Sequence, residues 1–194
     1  MNDQTKTHIL EAIATHKRMT AEFESRGLET VAAIAALIVE VLQHNGTIYL
    51  CGNGGSAADA QHIAGEFVGR FCRERKALPA VAFSTDTSVL TCIANDYAYD
   101  KVFARQAEAL VRKGDILWAF STSGTSANIV AAAQIARDQG ARVIAFTGRV
   151  DSELERIADI CFCADNESTA RSQEMHQLAY HIICDLVERN IING

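Results

Sequence analysis

No apolar run in this 194-residue chain approaches the ~20 residues that a membrane-spanning helix requires. CxxC pairs, the usual mark of a zinc or redox site, are missing as well. The six cysteines stand singly at 51, 72, 92, 161, 163 and 184, which predicts reduced thiols in a cytoplasmic protein. Residues Met1 to Thr7 are polar and do not resemble a signal sequence. With no linker, repeat or low-complexity segment, the length predicts one domain over 1–194 whose core needs no staples. An excess of positive charge is also lacking. The net charge of −6 argues against nucleic acid or an anionic membrane as the main partner, so any anion has to be bound locally.

What the chain does have, from Gly46 onward, is alternation of strand and helix signals. Strands are predicted at 47–51, 80–84, 115–120, 142–147 and 159–163, and helices at 56–71, across 87–111, at 126–139 and at 169–191. Ile116 to Phe120 and Val143 to Phe146 are apolar without clear alternation, as strands buried on both faces are. This predicts an α/β fold with a flavodoxin-like, parallel five-stranded sheet in the order 2-1-3-4-5 and helices on both faces. Two further helices, over 3–23 and from Gly27 to Asn45-Gly46, precede the first strand. They are read as an N-terminal extension of about 1–45, outside the sheet core and available for a subunit interface. Cys161 and Cys163 share a face of the last strand, where close packing explains them.

The stretch Tyr49-Leu50-Cys51-Gly52-Asn53-Gly54-Gly55-Ser56 organises this pattern. Three glycines let the backbone turn and approach a ligand, and the N–H groups of the following helix favour an anion. Ser56 can cap that helix or bind the anion. A second strand-to-helix turn, Ser121-Thr122-Ser123-Gly124-Thr125-Ser126, places five hydroxyls in six residues, groups able to donate to phosphate oxygens without fixed charge. Such turns alone are common. Two of them on neighbouring strands at a topological switch point make a phosphate site. Gly52-x-Gly54-x-x-Ala57 also fits a loose dinucleotide fingerprint, but its acidic partner, Asp86, stands about 30 residues on instead of about 20.

Among the charged residues, His62 and Glu66 are four apart and share a helix face. Gln173, Gln177 and His181 share a face of the last helix, which also carries Glu174 and His176, so spacing leaves the choice among them open. His and Glu with His and Gln form a plausible set for a borderline metal. Arg70, Arg73, Arg75 and Lys76 read mostly as a solvated, cationic helix end. Asn95-Asp96 fits either a turn or a ligand contact.

Taken in order, CGNGGSAADAQH with Glu66, TDTSVLTCIAND at 85–96, GDILWAFSTSGTSANI at 114–129 and TARSQEMH with His181 resemble the phosphoheptose isomerases of the sugar-isomerase (SIS) domain superfamily. The resemblance spans about residues 30 to 190. It implies conversion of sedoheptulose 7-phosphate to D-glycero-D-manno-heptose 7-phosphate, the first step towards activated heptose for bacterial cell-surface glycans. It further implies a cytoplasmic homotetramer with sites at subunit interfaces and one Zn²⁺ per subunit. The implied metal ligands are His62, Glu66, Gln173 and His181, with Glu66 and His181 also the acid/base pair. Implied substrate contacts are Asn53, Gly54, Gly55, Ser56, Glu66, Arg70, Asn95, Asp96, Ser121, Thr122, Ser123, Ser126 and Gln173. Ser172 departs from an apolar residue common in relatives, and 149–156 lacks their glycine-rich run, so that loop should differ. A non-enzymatic relative, the replication-initiator-associating protein, keeps the phosphate loops without the carboxylate and histidine that stand here as Glu66 and His181.

Overall fold

Along the central strand, side chains alternate in size as well as direction: Ile116, Trp118 and Phe120 turn to one face and Leu117 and Ala119 to the other. The structure, a computed structural model, describes residues 1–193. Strands β1 (Ile48–Cys51), β2 (Ala80–Ala82), β3 (Ile116–Ser121), β4 (Arg142–Thr147) and β5 (Ile160–Cys163) pair in parallel in the order β2-β1-β3-β4-β5. This is the flavodoxin-like order expected. In register, Leu50 lies beside Trp118, and Ala119 beside Cys51 and Ala145.

The bulky face, with Trp118, Phe120 and Phe146, is covered by α1 (Asp3–Arg26), α2 (Leu28–Gln43), α3 (Gly55–Val68) and α8 (Thr169–Asn193). The opposite face is covered by α4 (Thr87–Asp96), a 3₁₀ turn at Tyr99–Lys101, α5 (Ala104–Leu110), α6 (Ala127–Asp138) and α7 (Glu153–Ile157). There Ala119 and Ala145 meet Ala132, Ala133 and Ala136, all buried. None of the helices among the described residues is long and apolar enough to cross a membrane. All six cysteines are free, and Cys161 packs beneath the second face with its sulfur 3.5 Å from the Thr147 hydroxyl.

The N-terminal helices differ from the extension expected over 1–45. Helix α2 belongs to the core: Ile34 and Ile38 are fully buried, and the helix lies along α8 and against β5. Met19 and Phe23 bury the second half of α1, where Phe23 meets Phe162 edge-on at 5.2 Å between ring centres. Only the first half of α1 stands clear, with Ile9, Leu10 and Ile13 exposed. Periodicity identifies an apolar helix face but not what covers it.

Residues 70–76 also differ from the expected solvated helix end. Helix α3 stops at Val68, and the segment beyond it closes on Glu188 of α8, which is 1% exposed. Its carboxylate accepts N–H bonds from Phe71, Cys72 and Arg73 at 2.8–3.0 Å and lies 3.3 Å from the buried Arg75 guanidinium. Burial opposes this charge, yet the three N–H groups and Arg75 together hold the carboxyl below its ordinary range. The short α7 lies outside the expected helices. Ser152 and Glu155 form a capping box at its start, the loop's own device in place of the glycine-rich run. Ser172 is buried and donates to the Asn166 carbonyl at 3.2 Å.

His176 is fully buried among Phe120, Phe146 and Phe162, donating from Nε2 to the Thr147 carbonyl at 2.9 Å. Its Nδ1 has no partner. Burial lowers its pKa from 6.5 to about 4. Between those values the unfolded chain binds a proton that the native state refuses, so stability rises with pH across that window and is lost on acidification. In urea unfolding the wild type should lose about 3 kcal/mol more than His176→Gln between the two pH values. Equal slopes in the two proteins would refute this account.

Candidate functional site

The loops that follow β1 and β3 leave adjacent strands at the switch point of the sheet, where open α/β folds bind ligands. In the first loop Gly54 has φ +54°, and a Cβ on Gly52 would lie 2.4 Å from the Ser56 carbonyl oxygen. The glycines are therefore required by the turn itself. Gly54 is the N-cap of α3, and Ser56 lies buried inside the first turn, so the capping role expected of Ser56 is not the one it has.

In the second loop the Ser121 hydroxyl donates to Ser126 Oγ at 3.0 Å and accepts the Gly124 N–H at 3.1 Å. Ser123 Oγ accepts the Thr125 N–H at 3.2 Å. Thr122 is half-buried beside them. Ser126 is the N-cap of α6 but makes no side-chain capping bond. These hydroxyls can rotate their protons onto an anion placed above the helix start.

Two residues outside the expected set join the loops. Asn53 and Asn128 exchange amide hydrogen bonds, 2.9 Å in one direction and 2.8 Å in the other. Tyr99 donates its hydroxyl to Asn53 Oδ1 at 3.2 Å. Asn95 and Asp96, exposed at the end of α4, bond to one another at 2.9 Å, and it is Tyr99 that reaches the loop. Arg70 lies past the end of α3, exposed and 4.0 Å from Glu74.

Helix α8 runs beside α3 in the same direction. Gln173 lies against Gly55, where a Cβ would be 2.7 Å from its amide; further along, Tyr180 and His181 meet His62. Candidate ligand atoms of His62, Glu66 and His181 all lie within 4.8 Å of one another. His62 Nε2 is 3.0 Å from Glu66 Oε1 and 3.5 Å from His181 Nε2. Burial, and then the neighbouring His62, lower the pKa of His181, opposed by Glu66. Phe71 lies against the His181 ring at 5.7 Å.

Three of the four expected metal ligands therefore meet in one chain. The fourth, Gln173, lies against Gly55 at the start of the helix that carries His62 and Glu66. Placing α8 beside this loop within one chain runs against the expectation that a second subunit has to supply it. It is possible because α8 folds back from β5 across the bulky face and packs along α2 and α3.

The donor set fits a divalent cation. His62 Nδ1 faces the Tyr180 hydroxyl at 3.0 Å, which leaves Nε2 for the cluster. Three groups that offer lone pairs then converge. In a tetrahedral zinc site with bonds near 2.0–2.1 Å, neighbouring donors are ~3.3 Å apart, and the two separations seen here bracket that value.

The SIS domain family model matches residues 13–148. A phosphoheptose isomerase of Roseiflexus sp. (strain RS-1) is 50% identical over 182 residues, 94% of this chain and 91% of its own. One from Burkholderia pseudomallei (strain 1710b) is 45% identical over 193 residues, 98% of each chain. Among solved structures, a phosphoheptose isomerase from Neisseria gonorrhoeae superposes with a TM-score of 0.87 at 40% identity, over 96% of this chain and 98% of that one. One from Francisella tularensis superposes at 0.91 with 32% identity, over 97% and 100%.

Proposed function

We infer the activity from one premise: the chain belongs to the phosphoheptose isomerase family of SIS-domain proteins. It is an isomerase of a phosphorylated sugar. Its substrate is sedoheptulose 7-phosphate and its product D-glycero-D-manno-heptose 7-phosphate. The observation that carries this reading is the meeting of Glu66 with two histidines on helices that start at, or pass beside, the first of the two anion loops.

The reaction moves a hydrogen from C1 of the ketose to C2 of the aldose. The Glu66 carboxylate takes the C1 proton, giving a cis-enediol, and returns a proton to C2. His181, its pKa lowered by burial and by His62, can pass a proton between O1 and O2. Zn²⁺, held by His62, Glu66, Gln173 and His181, would supply Lewis-acid polarisation of the sugar oxygens. The phosphate binds at Ser121, Thr122, Ser123 and Ser126, so that remote binding energy fixes the reacting end. Asn53, Gly54, Gly55, Ser56, Asn95, Asp96, Arg70 and Gln173 line the sugar's path. Gln173 is read as a substrate contact as well as the fourth metal ligand.

Glu66 lies eleven residues past Gly55, roughly 16 Å of helix rise. That span leaves the reacting end open to further contacts from a neighbouring subunit, which fits a site at a subunit interface. The exposed Ile9, Leu10 and Ile13 on α1 suit such an assembly, read as a homotetramer. The reaction is placed in the cytoplasm, at the start of activated-heptose supply for cell-surface glycans.

Purified protein loaded with Zn²⁺ should turn over sedoheptulose 7-phosphate. His62→Ala should lose both its bound zinc, read by elemental analysis, and its turnover. Unchanged zinc in His62→Ala would remove the assignment of the metal. A zinc-loaded wild type that does not turn over this sugar, but captures a replication initiator, would replace the enzyme with the binding role of the non-catalytic relative.

A further inference from the structure

Behind the cluster, His62 is held by a chain of two residues, the buried Tyr180 and the half-buried Asp59. The Tyr180 hydroxyl, 3.0 Å from His62 Nδ1, also donates to Asp59 Oδ1 at 3.3 Å. Asp59 stands three residues before His62 on α3, so the chain starts and ends on the same helix and passes through α8. The Tyr180 ring is fully buried and meets the imidazole edge-on at 5.5 Å, which restricts the rotation of both.

With a cation on Nε2 and Asp59 ionised, the hydrogen-bond donors can be arranged in only one way. A carboxylate only accepts, so the single proton of Tyr180 goes to Asp59. The phenol oxygen is then an acceptor for His62, and the imidazole must carry its proton on Nδ1. The lone pair on Nε2 is left facing Glu66 and His181. Asp59 Oδ2 is buried without a hydrogen-bond partner. A tie serving only to join α3 to α8 has no need of an ionisable group with one oxygen left unbonded, at a desolvation cost. Behind a cation-binding histidine, by contrast, a negative charge relayed through a hydroxyl raises the basicity of the ligand.

We propose that Asp59 and Tyr180 are positioning residues that hold His62 as the Nδ1–H tautomer and aim its Nε2 at a divalent cation. This rests on the reading of His62 as a zinc ligand. Two variants test it. Tyr180→Phe keeps the ring and removes the relay. Asp59→Leu keeps the branched shape, removes both acceptors and frees the Tyr180 proton to point at Nδ1, which drives the imidazole proton onto Nε2, where it blocks the ligand position.

Zn²⁺ affinity, measured by competition with a chromophoric chelator, should fall 10–100-fold in each variant. Nitrogen-15 NMR of metal-free Glu66→Ala protein, where no carboxylate competes for a proton on Nε2, should find His62 as Nδ1–H with Asp59 in place and shifted towards Nε2–H with Asp59→Leu. Melting of the metal-free proteins checks that each variant is folded, and the nearly isosteric Asp59→Leu serves if Tyr180→Phe is not. Folded variants with wild-type zinc affinity and an unchanged tautomer would overturn the proposal. A wild type that binds no zinc would instead overturn the metal assignment and the aim of Nε2 at a cation. The NMR result would then decide separately whether Asp59 and Tyr180 set the tautomer.

Discussion

Glu66→Gln should fold as the wild type does and lose at least a factor of about 10²–10⁴ in kcat, the usual worth of a general acid–base group. Glutamine fills the same space but cannot take a proton from carbon. Because Glu66 also belongs to the cation cluster, zinc content has to be measured beside turnover. A large loss in protein that still holds zinc isolates the role as base. In D₂O the wild type should place solvent deuterium at C2 of the aldose. Complete retention of the substrate hydrogen would point to a hydride shift and remove Glu66 from that role.

The second large effect is on stability. Glu188→Gln should cost about 3 kcal/mol in urea unfolding, the lower end of the range for breaking a buried ion pair, because Asp185 at 2.7 Å still partners Arg73. The amide can satisfy only part of a cradle built from three N–H donors and leaves Arg75 without its counter-charge. Since the pinned segment carries Phe71 onto His181, turnover should also fall. Stability within about 0.5 kcal/mol of wild type, the usual range for a neutral surface substitution, would refute the clasp.

Much of the sheet is legible in the sequence because β3 and β4 are apolar on both faces and end in loops whose glycines and hydroxyls leave few alternatives. Ser152-x-x-Glu155 carries the capping-box pattern too, though the helix it starts is only five residues long and too short to show a period. The choice between the histidines of α8 is not legible. Five residues turn a helix through about 140°, which sends His176 inward to the Thr147 carbonyl while His181 meets His62. Glu174, equally plausible on spacing, is bound to His16 at 2.9 Å and Arg171 at 2.7 Å. Nor does local pattern reveal Asn128 or Glu188, whose partners lie 75 and more than 100 residues away. Composition marks a polar residue as able to bond; only the fold says with what.

The shared direction of α3 and α8 has a mechanical consequence. Their ties succeed one another like rungs: Gln173 at Gly55, Tyr180 at Asp59 and His62, then Glu188 at Phe71 and Cys72. A slip of one helix past the other by a single turn, about 5.4 Å, would break every rung together. Fraying, in contrast, begins at helix ends and stops at the first rung it meets. The cluster of His62, Glu66 and His181 lies between the outer rungs, so its spacing is insulated from motion at either end of the pair.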